Sequence, residues 1–210
     1  MNKVFLCGVV ALGLMACAGR PLTPMRVLQV GQPEASVILR TASRDLTPRE
    51  LRSRKIRTLK ERMLLTVQSP EQDGVGIAAP QVGENLRIIW VQRFDKPGEP
   101  FECYMNAHLD SLFGEKVAGP EGCLSVPPYR GEVRRYPSVI VSYVSSETMK
   151  PMQDTVHGYT AVIFQHECDH LDGILYIDKA DTVYVDPVWE AEIAARQAEG
   201  ESGQAAVEPK

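Results

Sequence analysis

The sequence predicts an α+β domain in which antiparallel β-sheets pack around a central helix that carries metal ligands. Two observations lead there. Apolar residues recur at helical spacing in two separated stretches, Ile56, Leu59, Met63 and Val67, and then Tyr159, Val162 and Ile163 ahead of two histidines. Between the stretches the period changes, and short β-branched segments alternate with Gly, Pro, Asp and Ser clusters. The 210 residues suffice for one domain with a proper core, and 44% hydrophobic and 24% charged residues suit a globular chain.

The elements follow in order. Lys3 precedes an apolar run from Val4 to Met15 and then Ala16-Cys17-Ala18-Gly19. That run is too short to span a bilayer but has the length of a signal-peptide core. Leu14-Met15-Ala16-Cys17 is similar to a bacterial lipobox, so residues 1–16 are expected to be a signal peptide. Cys17 would be lipidated and residues 17–26 would form a tether on a membrane facing the periplasm. If translation starts at Met25 instead, the chain is cytoplasmic.

Val27 to Val30 reads as a short strand and Gly31-Gln32-Pro33 as a turn. The first helix is expected from Thr47, with Thr47 and Glu50 as a capping box, Pro48 at the first helical position, and an end before Pro70. Gly74 to Gly83 reads as a glycine-bearing loop. Strands are expected at Leu86–Val91, Phe101–Met105, Val139–Val144 and Met152–Val156, with a hairpin over Ser145–Pro151. The second helix spans Tyr159–Leu171. A last helix from Asp186, with Pro187 at its start, is expected to fade into a disordered tail within residues 186–210.

Net charge of −4 gives no reason to expect nucleic acid as a partner. Nine Arg/Lys between Arg40 and Arg62 face only Asp45, Glu50 and Glu61, a pattern read as a solvated helix face. Of five cysteines, Cys7 and Cys17 fall in the leader. The remaining Cys103, Cys123 and Cys168 form an odd set without regular spacing, which argues against a disulfide framework.

The chemistry concentrates in Gln165-His166-Glu167-Cys168-Asp169-His170, an HExxH arrangement. Residues four apart share a helix face, so His166 and His170 can point two imidazoles at one ion. Glu167 sits beside that ion, where a carboxylate can accept a proton from water the ion activates. Cys168 lies on another side of the helix and reads as packing. Two histidines leave a catalytic site one protein ligand short. Cys123, flanked by Gly122 and Pro127 within Glu121-Gly122-Cys123-Leu124-Ser125-Val126-Pro127, is one candidate. Glu190 or Glu192 is the other, as in HExxH metalloendopeptidases that use a downstream glutamate.

Three stretches together, Gly74-Val75-Gly76-Ile77-Ala78-Ala79-Pro80-Gln81-Val82, Glu121 to Pro127 and Gln165 to Leu171, resemble the signature motifs of the peptide deformylase family in order and spacing. The similarity runs from about Val27 to about Asp178, inside a catalytic domain placed at residues 27–185. It implies a hydrolase that takes the formyl group from N-formyl-methionyl peptides and releases formate. Cys123, His166 and His170 would hold one divalent metal, Fe²⁺ natively, with Zn²⁺, Ni²⁺ or Co²⁺ able to replace it. Glu167 would be the general acid/base, Gln81 and the Leu124 N–H would hold the developing oxyanion, and Gly76 would keep its backbone open to the substrate. Val75, Tyr159, Val162 and Ile163 would build the methionine pocket. Arg130 would pair with Glu121 or contact the substrate backbone. A monomer is expected. The competing expectations are a metalloendopeptidase dependent on Glu190 or Glu192, and an exported deformylase-like binding lipoprotein without activity.

Overall fold

A computed structural model describes residues 21–72 and 74–191 of the chain. The expected leader, Cys17 and the tail beyond residue 191, with Glu192, lie outside the described residues. Four helices and eight strands are assigned as follows: α1 Pro33–Leu39, α2 Pro48–Leu51, α3 Arg54–Val67, β1 Gly76–Ala78, β2 Ile88–Gln92, β3 Phe101–Phe113, β4 Val117–Gly122, β5 Tyr129–Arg135, β6 Ser138–Ser145, β7 Pro151–His157, α4 Gly158–Leu171 and β8 Ala180–Val185. A further helical turn covers residues 187–191.

Strands order as β1-β2-β3-β6-β7 in one sheet and β4-β5-β8 in a second, and every pairing is antiparallel. This is the expected class. The five-stranded sheet is covered on both faces, which period-two alternation makes visible. Ile89, Val91 and Tyr104 join Ala161, Phe164, Cys168 and Leu171 of α4 in one apolar cluster. Their neighbours in sequence, Ile88, Cys103 and Met105, join Ile56, Leu59, Met63 and Val67 of α3 in another. Helix α4 is therefore buried nearly all round, from Thr160 to Leu171, as a central helix must be. Cys168 is packed in the core, as read from its place on the helix.

The helix caps show how the local sequence sets the boundaries. Thr47 and Glu50 form the expected capping box. The helix they start does not run through, however. Ser53 is extended and its hydroxyl caps the Ile56 N–H at 3.2 Å, which begins α3 as a separate helix. Helix α4 ends at Gly173, whose φ of +73° and 2.5 Å approach of a would-be Cβ to the Arg40 carbonyl leave room for glycine alone.

Other expectations need correction. Residues 27–30 are not a ladder strand. Leu28 donates to the Gln81 carbonyl and Val30 to that of Ser125, single bonds that strap the segment over the site loops. Pro33–Leu39 is helical, begun by Pro33 at the N-terminal end. The expected loop 74–83 contains β1 and a tight 3-10 turn over Ala79–Val82. Strand β3 continues well past Met105, through two register shifts, along a mostly exposed stretch of mixed polar and apolar residues. The whole β4-β5-β8 sheet was not expected.

Candidate metal centre

The site forms where α4 meets the end of β4. Their four-residue separation puts the two imidazoles of α4 together, with ring centroids 5.1 Å apart. Cys123 stands one residue after β4 in a turn closed by the Val126 N–H on the Cys123 carbonyl at 2.9 Å. Its Sγ lies 3.2 Å from His170 Nε2. Among the described residues, Cys123, His166 and His170 are the one group of three or more His, Cys, Asp or Glu whose donor atoms converge, all within 4.8 Å of one another. Thiolate and imidazole ligands about 2.0–2.3 Å from a shared tetrahedral ion stand roughly 3.5 Å apart, so the spacing suits one cation. Glu190 is exposed and has no place in this group.

The surroundings orient each ligand. His166 Nδ1 lies 2.8 Å from Glu121 Oε2, which leaves Nε2 as the free donor atom. Burial opposes the charge on His166, but hydrogen bonds with Cys123 and Glu121 raise it well above the ordinary histidine range, so its Nε2 ligates a cation only by releasing a proton. Burial drives His170 well below that range, keeping its lone pair available. Behind His166, Glu121 accepts two bonds from Arg135, at 2.6 and 2.9 Å, and Arg135 also reaches Asp169 at 2.6 Å. Lys179 closes the chain of charges on Asp169 at 2.6 and 2.7 Å. Burial opposes the charge on Glu121, but the Arg135 and His166 bonds outweigh it and bring its carboxyl down to about 2.

These contacts correct one expectation. Arg130 does not hold Glu121; it pairs with Asp186, and Arg135 takes the Glu121 carboxylate instead. Arg130 leaves the backbone of β5 in register with Gly122, whereas Arg135 sits at the strand's buried end, 4% exposed at its side chain.

Glu167 is buried beside the ligands, with Oε2 lacking a hydrogen-bond partner among the described residues. Burial, reinforced by the Glu121 charge, raises its carboxyl to about 7. Gly76 makes the space: a Cβ at that position would stand 2.5 Å from Glu167 Oε1. Gln81 is also buried. Its Oε1 accepts from the Ala78 N–H at 2.8 Å, and its Nε2 points to Ser125 Oγ at 3.2 Å and Cys123 Sγ at 3.6 Å.

A cleft of about 480 Å³ opens onto these groups. Val75, Gly76, Gln81, Leu124, Arg130, Tyr159, Val162 and Ile163 line it together with Cys123, His166 and Glu167. The structure thus gathers the expected site residues around one cavity, with His170 buried beneath. Sequence reasoning missed Asp186 and Trp189, which line the same cleft. Their only signal was an Asp-Pro helix start.

A sequence model of the polypeptide deformylase family matches residues 24–185. The chain belongs to the peptide deformylase family. A peptide deformylase of Leptospira biflexa serovar Patoc is 34% identical over 161 residues, covering 73% of this chain and 86% of that one. The class I type b peptide deformylase from Acinetobacter baumannii, solved with K3U bound, superposes with a TM-score of 0.67 at 34% identity, covering 74% of this chain and 98% of that one. The same enzyme with Met-Ala-Ser bound gives 0.66 at 33% identity over the same shares. As a deformylase, the chain is a metalloenzyme of the hydrolase class that removes N-formyl groups from formyl-methionyl peptides.

Proposed function

We propose that Cys123, His166 and His170 hold the deformylase metal and that Glu167 moves the proton in the hydrolysis. The observation that carries this reading is the convergence of one cysteine sulfur and two imidazole donors beside a buried carboxyl oxygen that has no partner among the described residues. Soft sulfur and borderline nitrogen donors suit Fe²⁺, Zn²⁺, Co²⁺ or Ni²⁺, and Fe²⁺ is the native ion we infer from the family resemblance. A divalent cation held there supplies a Lewis acid and makes a bound water acidic near neutral pH.

The chain's own residues do the rest. The formyl-methionine side chain enters the slot of Val75, Val162 and Ile163, with Tyr159 at its mouth. Glu167 accepts the proton of the attacking water as the new C–O bond forms at the formyl carbon. The Gln81 amide and the Leu124 N–H donate to the oxygen that becomes negative. Glu167 then passes its proton to the nitrogen as the C–N bond breaks, giving formate and a free amino terminus. Met-Ala-Ser, bound by the Acinetobacter enzyme, has the composition expected of such a product. The test is formate release from formyl-Met-Ala-Ser. Glu167→Ala is expected to lose about 10²–10⁴ in rate, and Gln81→Leu about 10²–10³, both with metal content intact. Near-normal turnover by Glu167→Ala would refute the proton-transfer role.

For location we infer a lipid on Cys17, resting on the order of charge, apolar run and small residues in the leader. Among the described residues, no helix is long and apolar enough to cross a membrane. Lipid labelling of wild type against Cys17→Ala decides it. Equal absence of label places the start at Met25 and the enzyme in the cytoplasm.

A further inference from the structure

We propose that residues 186–191, which follow β8, are a specificity wall of the deformylase cleft, with Trp189 packing against the peptide beyond its formyl-methionine and Asp186 pinning the turn in place. The inference rests on the deformylase reading and extends it to substrate choice.

Strand β8 pairs with β5 up to Tyr129 opposite Val185 and Arg130 opposite Tyr184. This brings the chain to the rim of the cavity, where Asp186 fixes its direction. The Asp186 N–H donates to the Pro128 carbonyl at 2.9 Å, and its own carbonyl accepts from the Glu190 N–H at 2.9 Å. The carboxylate accepts from the Val188 N–H at 2.9 Å and from Arg130 Nε. One side chain, 12% exposed, therefore both caps the last helical turn and ties it to the strand that leads from the metal ligand loop. Trp189 comes three residues later, on the same face of that turn as Asp186. Both line the cleft that holds Cys123, His166 and Glu167.

Packing does not account for Trp189. The residue is 44% exposed, and among the described residues it belongs to none of the three apolar clusters. It stands with Tyr129 and Tyr159, 45% and 56% exposed, around the same mouth. On the proposed course, a formyl-methionyl peptide with its first side chain in the slot of Val162 and Ile163 runs out as an extended chain over this aromatic rim, not past Gln29, Glu71 and Gln72, which line the same cleft. An aromatic surface there fits an apolar or aromatic side chain two residues after the methionine, and offers nothing to a substrate too short to reach it.

The test compares formyl-Met-Ala with formyl-Met-Ala-Phe on the metal-loaded enzyme. Trp189→Ala should raise KM for the longer peptide about 3- to 12-fold with kcat held within about twofold. Its effect on the shorter peptide should be several-fold smaller. Asp186→Ala, which removes both the cap and the tie to Arg130, should reproduce that KM shift without touching the aromatic ring; an unchanged KM would remove its role as the pin. Binding of Met-Ala-Phe should shift the tryptophan emission of wild type, and Trp189→Phe should abolish the shift, since Trp90 lies away from the cleft. Equal losses on both peptides, or emission unmoved by Met-Ala-Phe, would overturn the proposal. Failure of wild type to release formate at all would instead count against the deformylase reading, and the emission titration still decides the wall.

Discussion

Glu167 depends on an absence. The carboxylate can occupy its buried position only because residue 76 has no side chain, with Oε1, Cδ and Cγ at 2.5, 2.9 and 3.0 Å from the place of a Cβ. A methyl group there must push the carboxylate out of its place beside the proposed metal ligands and toward the cleft that it lines. Gly76→Ala is therefore expected to fold and bind metal but to lose about 10² or more in formate release, as for a displaced general base. Activity within twofold of wild type would show that Glu167 has room to spare. The sequence marked both residues, but only through their motifs; that one makes space for the other is a matter of ångströms that no spacing encodes. Arg130 and Arg135 make the same point. Both follow the second motif, and the identity of Glu121's partner depends on which of them the strand turns inward.

Among the elements, those stabilised by apolar patterning were legible and those stabilised by charge were not. Helices α3 and α4 and strands β2, β6 and β7 follow the hydrophobic period within a few residues. The small sheet buries Glu121, Gly131, Val133 and Arg135 along β4 and β5, so its inward positions read as solvent-facing. Strand β8 buries almost nothing. Arg135 holds this second sheet to α4 through Glu121 and Asp169, all three of them buried. Replacing it with methionine leaves two carboxylates without their shared cation, only one of which retains Lys179. The expected loss is about 3–5 kcal/mol in urea unfolding, with a weaker hold on metal because His166 loses its fixed partner. A loss under about 1 kcal/mol would mean that the network is incidental to stability.

Across the whole molecule, the five-stranded sheet is tied by a second buried arginine far from the metal ligands in sequence. Arg93 bonds Asp95 at 2.7 Å twice, Tyr104 Oη at 2.6 Å, and Glu102 and Asp154 at 3.2 Å each, while Lys96 reaches Glu102. It also lies over the Phe164 ring of α4. The Arg93 bond holds Asp95 below its ordinary 3.8. Burial opposes the charge of Glu102, but Lys96 and Tyr104 bring it below its ordinary 4.5. Carboxyls depressed in the folded state stabilise it fully above the unfolded values and lose that contribution as pH falls through the folded ones. Their contribution to the melting temperature should thus stay level from about pH 7 to 5 and be lost below about 4.5. Asp95→Asn should melt lower at neutral pH and respond less to acid; an acid response as steep as that of wild type would remove Asp95 from the account.

Our proposal that one sulfur and two imidazoles bind the ion that makes this chain a deformylase can be checked by assaying metal content and formate release together, on wild type and Cys123→Ala purified anaerobically. Wild type should carry about one divalent ion per chain and release formate from formyl-Met-Ala-Ser, and the variant should lose both. A Cys123→Ala protein that kept its metal and its turnover would contradict it.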